Sequence, residues 1–203
     1  MTPTPPAAGQ GRERSREIAC YLAILGAVCL VLAPSIFAGR APLPDYLRYF
    51  AFWADGAVET AWNPLWYDAV GQYWPWRTLL ADGLRHNQLP FWNPYQLNGY
   101  AFAGNGQSAL FYPPNWLFFG LFSVPVGFRL TAVGHLWLAG AATFRLCREL
   151  GTRRPAALLA GLVFPLSGFM ITWLMLPTLI SSAAWLPVGA AAVERARRTG
   201  ESR

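Results

Sequence analysis

The chain has 203 residues, of which 54% are hydrophobic and 13% charged, with a mean hydropathy of +0.27 and a formal charge of +6. A soluble domain carries about 25% charged residues, so the composition points to lipid as the solvent. All sixteen basic residues are Arg, which reads as base-composition bias. They sit between apolar segments and not on one face, which argues against a nucleic-acid partner.

In chain order, residues 1–17 (MTPTPPAAGQGRERSRE) are rich in Pro, Gly and charge and are expected to be a disordered cytoplasmic tail. Residues 18–38 are almost wholly apolar and long enough to form transmembrane helix 1. Arg12, Arg14 and Arg16 before them, and Ala38, Gly39 and Ala41 after, resemble the flanks of a secretory signal. The apolar run exceeds the roughly 7–15 residues of a cleaved signal, so a retained anchor is expected.

Residues 39–113 form a long extracytoplasmic loop, rich in Trp, Tyr, Pro, Asn and Gly and without an 18-residue apolar run. Within it, PWRTLLADGLRHN (75–87) predicts an amphipathic helix with Pro75 at its first position. Leu79, Leu80 and Leu84 share one face, with Arg77, Asp82 and Arg85 around the others, and such a helix is expected to lie along the membrane surface. WNPLWYDAVG (62–71) and WNPYQLNGY (92–100) bracket it as two similar Asn-Pro turns.

Hydrophobicity then returns. Residues 114–125 are too short to span and are expected to be a short interfacial helix. Residues 126–148, 155–176 and 177–193 predict transmembrane helices 2, 3 and 4, and 194–203 a cytoplasmic end. The expected fold class is therefore an all-α integral membrane protein of about four spans, with surface helices in the loop after the first.

Orientation follows from the Arg distribution. Three Arg precede span one, four (Arg145, Arg148, Arg153, Arg154) surround the junction of spans two and three, and four (Arg195, Arg197, Arg198, Arg203) follow span four. The long loop has Arg40, Arg48, Arg77 and Arg85 against Asp45, Asp55, Glu59, Asp68 and Asp82. The amino terminus is thus expected in the cytoplasm and the loop outside.

Cys20, Cys29 and Cys147 lack metal-ligand spacing and read as apolar fillers. No phosphate-binding glycine motif, zinc-protease motif or serine-hydrolase motif is present, and only His86 and His135 are available as histidines. Chemistry is left to the loop, where Asp68 stands in the aromatic run NPLWYDAVGQYWPW. A partly desolvated carboxylate there suits a general base toward an acceptor hydroxyl or a contact to a divalent cation. It equally suits the cap of a helix amino terminus. Seven of the ten Trp fall within 53–116, as expected both for sugar stacking and for a membrane interface. Arg129 and His135 lie within or near span two, where an ionisable residue is a candidate for function. Arg129 is near enough to the outer end to snorkel or to meet a lipid phosphate; His135 suits a hydrogen bond to a neighbouring helix.

The run DAVGQYWPWRTLLADGLRHNQLPFWNPYQLNGYAFAGNGQSALFYPPNWL (68–117) resembles the first outer loop of YfhO-like bacterial membrane proteins. The shared pattern is Asp68, Trp74-Pro75, Gly83, Pro90, Trp92-Asn93-Pro94, Gly99 and Phe111-Tyr112-Pro113, and the likeness extends over about residues 60–193. That family is similar to the C-type glycosyltransferases, which take sugar from a polyprenyl-phosphate carrier. The resemblance implies a bacterial cytoplasmic-membrane protein with Asp68 as catalytic base or metal contact; Asp45 is a second candidate, without a motif. It also implies a polyprenyl-phosphate-linked sugar as donor, membrane lipid as partner, and a possible divalent cation. Asn93, Gln107 and Tyr112 match the pattern and are expected to line the site, with Arg77, Trp92 and Arg129 as further substrate contacts. Relatives have around ten or more spans, so further carboxy-terminal transmembrane helices are expected. The rival expectation is a non-enzymatic polytopic protein for lipid or glycan transport or envelope assembly.

Overall fold

A computed structural model describes residues 8–43, 63 and 65–200. Among them the chain is mostly helical, with one two-stranded antiparallel ribbon. Helix α1 (Ala8–Val31) leads across a break at Leu32 into the short α2 (Ala33–Phe37). The second long helix, α6 (Val124–Glu149), lies at the centre, packed by α1, α5 (Pro113–Leu121), α7 (Arg154–Val163) and α9 (Pro177–Thr199).

Sequence periodicity explains the packing. Cys20, Ile24, Val28 and Leu32 recur every four residues and form one buried stripe along α1, while Leu22 and Leu30 point away. Small residues let the helices approach. A Cβ on Gly140 would stand 2.5 Å from the Gly161 carbonyl, and one on Gly161 2.9 Å from that of Gly140. The α6–α7 crossing therefore depends on both being glycine.

Several boundaries differ from those expected. Residues 8–17, expected to be disordered, continue α1. The Arg/Glu-rich segment is a good helix former, and Glu13 pairs with Arg154 while Glu17 lies 3.7 Å from Arg148. The run 155–176 is not one helix: α7 ends at Val163, a turn spans 164–166, and α8 (Gly168–Thr172) restarts with the Ser167 side chain accepting from the Met170 N–H. Pro165, which has no N–H and clashes with the preceding turn, accounts for the break. α9 runs on to Thr199 and is closed by Gly200 in the left-handed region (φ 72°).

Arg154–Met175, interrupted as it is, is the one helical stretch among the described residues long and apolar enough to cross a membrane, and 22% of its apolar window is buried. The apolar run 18–38 is divided at Leu32, with residues 18–31 in α1 and 33–37 in α2.

Candidate functional site

Most of the candidate site residues lie in the segment between α2 and α5. From Trp66 to Arg85 it is helical throughout: α3 (Trp66–Asp68), a π-helical turn (Ala69–Tyr73) and α4 (Trp74–Arg85). The helix thus starts earlier than the expected 75–87, and its inner face does not rest on a surface. Tyr73, Trp76, Leu80 and Ala81 are buried against Phe102, Leu110, Phe119 and Phe128.

A π-turn shifts hydrogen bonding by one residue and frees backbone groups. The Gly71 carbonyl accepts from Gln96 Nε2 at 2.7 Å. Gln96 Oε1 in turn accepts from Trp76 Nε1 (2.9 Å) and Asn93 Nδ2 (3.0 Å). Gln96 sits in a turn between β1 (Trp92–Asn93) and β2 (Tyr100–Ala101), closed by Gly99 at φ 98° beneath the Trp92 indole. This turn and the π-turn enclose a cavity of about 540 Å³ lined by Tyr67, Gln72, Trp76, Gln96, Tyr100 and Gln107, among others. Its walls are aromatic faces and amide groups. Asp68 stands beside it, half-buried, its Oδ1 accepting from Gln72 Nε2 at 2.6 Å. It caps no helix: it lies inside the helical run, and its carboxylate reaches one turn onward.

A second cavity, about 360 Å³, lies between residues 103–112 and the first turns of α9. Arg77 forms part of its wall and is 1% exposed. Arg77, expected on an outer face, lies inward, because positions 73, 77, 80, 81 and 84 share that side of the helix. Its Nη1 donates to the Ser108 carbonyl, its guanidinium lies 5.6 Å over the Phe119 ring, and its Nε is buried without a partner among the described residues. Burial lowers its pKa to about 10, so it remains a cation at neutral pH. The wall next to it is fastened tightly. Ala109 is held at φ 47°, Asn115 Nδ2 donates to its carbonyl (3.0 Å), and Trp116 Nε1 donates to the Leu110 carbonyl (2.5 Å). A non-glycine residue in the left-handed region costs on the order of 1 kcal/mol and persists only where neighbours fix it.

Tyr112 borders the same cavity. His135 Nδ1 donates to the Thr131 carbonyl (2.7 Å), which leaves Nε2 as an acceptor. The Tyr112 hydroxyl therefore donates to His135 Nε2 (2.7 Å) and accepts from Trp185 Nε1 (2.7 Å). Three elements meet at one phenol.

The predicted residues divide accordingly. Arg77 and Tyr112 share the smaller cavity; Gln107 lines the larger one, with Asp68 beside it. Asn93 is buried within the β1–β2 turn, accepting from the Tyr95 N–H, and holds Gln96 without lining either cavity. Trp92 and Arg129 line neither; Arg129 Nη1 is buried without a partner among the described residues. Asp45 lies outside the described residues, as do Asp55 and Glu59. Among the described residues no group of three or more His, Cys, Asp or Glu is placed to hold a metal ion. Gln72, Gln96 and Ser181 were not anticipated. Gln96 carries a faint signal, a polar residue inside the WNPYQLNGY turn. Ser181 carries none, because only the tertiary fold brings α9 to the loop.

No protein-family model, curated protein or solved structure matches the chain.

Proposed function

We propose that the chain works in a membrane glycosyltransferase that moves a sugar from a polyprenyl-phosphate donor to an envelope acceptor on the outer face of the bacterial cytoplasmic membrane. Asp68 acts as the base that takes the proton of the acceptor hydroxyl. The observation that carries this reading is the aromatic-and-amide cavity beside Asp68. Tyr and Trp faces stack on sugar rings, and the Gln72 and Gln107 amides offer donors and acceptors to sugar hydroxyls, with Gln96 committed to holding the wall together. Gln72 holds one carboxylate oxygen, positioning the group while the other oxygen is left for the acceptor.

A membrane setting with four spans and a cytoplasmic amino terminus is supported by the Arg distribution and by outward apolar side chains. Leu22, Leu30 and Phe37 from the first apolar run, Leu159 and Val163 from α7, and Leu186 and Val193 from α9 are all more than half exposed.

The test is Asp68→Asn on the host chromosome, with envelope glycans and glycolipids compared by mass spectrometry. Loss of one sugar increment at normal protein abundance is expected. An unchanged profile, where deletion of the gene does change it, would leave a transport or assembly component in place of an enzyme.

A further inference from the structure

Among the described residues the smaller cavity holds one ionised side chain, the Arg77 cation. No Asp or Glu among the described residues lines the cavity, and no carboxylate among them pairs with Arg77. A guanidinium has five N–H donors. Here, among the described residues, one hydrogen bond to the Ser108 carbonyl is made and Nε is buried with no acceptor. A buried charge is ordinarily paired, and the Phe119 face at 5.6 Å offsets only part of the lost hydration. The missing partner is an anion.

The opposite wall agrees. α9 begins at Pro177, and Thr178, Ser181 and Ser182 from its first two turns line the cavity. At the amino end of this 23-residue helix Pro177 has no N–H and Leu179 and Ile180 donate to the Leu176 carbonyl, so what this end contributes is chiefly its partial positive charge. The hydroxyls differ in what they can give. Thr178 donates to the Gln107 carbonyl and Ser182 to the Thr178 carbonyl, so their protons are committed. Among the described residues Ser181 makes no side-chain hydrogen bond, and its proton is free to point inward. Donors from two sides suit an anion with several oxygens. The lips are apolar, with Phe111 56% and Trp185 44% exposed, which suits an ester whose alcohol is a hydrocarbon.

We propose that this cavity is an oxyanion site that takes the phosphate of an amphiphilic phosphate ester, with Arg77 as counter-ion, Ser181 as a further donor and the positive end of α9 beside it. The identity of the alcohol rests on the proposed donor class; the oxyanion does not. The shared chemistry is a phosphate oxyanion, whether carried by a lipid or free.

The experiment titrates the 203-residue chain, in a phosphate-free maltoside detergent, with farnesyl phosphate, farnesol and inorganic phosphate, read by calorimetry and by Trp fluorescence. Farnesyl phosphate is expected to bind and farnesol not. Arg77→Met is expected to weaken farnesyl phosphate binding on the order of ten- to a hundredfold, as for lost charge-assisted hydrogen bonds. Ser181→Ala is expected to weaken it less, and Asp68→Asn to leave it unchanged. If Arg77→Met does not fold, Arg77→Lys, which keeps the charge and loses the fork, serves in its place and is expected to bind more weakly than wild type. Inorganic phosphate that displaces the ester would show that the oxyanion alone is recognised; failure to displace it would assign the site to a lipid-borne phosphate. Equal binding of farnesol and farnesyl phosphate, or undiminished binding by the folded Arg77 variant, would overturn the proposal. Phosphate binding with glycans unchanged in Asp68→Asn would leave this site standing and remove the transferase. Lost glycans in Asp68→Asn without phosphate binding would do the reverse.

Discussion

Tyr112 shows how much one hydroxyl decides. It gives its proton to His135 Nε2 and receives that of Trp185 Nε1, joining the loop to α6 and α9. Tyr112→Phe keeps the ring and its packing but strands a buried imidazole nitrogen and an indole N–H. Leaving buried polar groups unsatisfied costs about 1–3 kcal/mol. A loss of that size is expected in chemical unfolding, with the variant still folded; an unchanged midpoint would mean water replaces the phenol freely. The motif that contains Tyr112 was legible in the sequence. Its partners were not, because they lie 23 and 73 residues away. Arg77 teaches a related lesson. Its charge suggests an outer face, yet its position relative to Leu80, Ala81 and Leu84 places it inward, and periodicity outranked residue type.

At the scale of elements, close helix contact depends on what is absent. An Ala side chain at 140 would meet the Gly161 carbonyl, Ile24 Cγ2 and Pro165 within about 3 Å of its Cβ (2.5, 2.6 and 3.0 Å). The first of these is backbone and can move only by shifting α7. Gly140→Ala is therefore expected to destabilise by about 1–3 kcal/mol, the range for overpacking, measured as a lowered unfolding midpoint in detergent. An unshifted midpoint would mean that α7 slides easily on α6, as its break at Pro165 would then allow. Helix existence was legible from the apolar runs at 18–38, 126–148 and 177–193. Breaks were less so. Pro165 divides its run, whereas Pro187 sits inside α9 without ending it, since a helix tolerates or yields to Pro according to what packs around it.

For the whole molecule, the four-span reading makes a topological prediction. A cytoplasm-dependent fluorescent reporter fused after Arg203 should be bright. An alkaline phosphatase inserted in the exposed turn at Tyr95–Leu97 should be active, as that enzyme needs an oxidising compartment. A dark carboxy-terminal fusion with active phosphatase would require an odd number of crossings, and would single out the broken segment Arg154–Met175 for re-examination. The sequence by itself determined a mostly helical chain, a long aromatic loop, an amphipathic segment inside it, and the set of polar residues available for chemistry. These follow from composition and local periodicity, which act within a few turns of chain. Only the tertiary structure decided that Arg77 is buried with no carboxylate partner among the described residues, that α9 closes a cavity over the loop, and that Gln96 joins a turn to a helix 25 residues earlier. Burial and pairing are properties of segments distant in sequence, and no local pattern records which of them will meet.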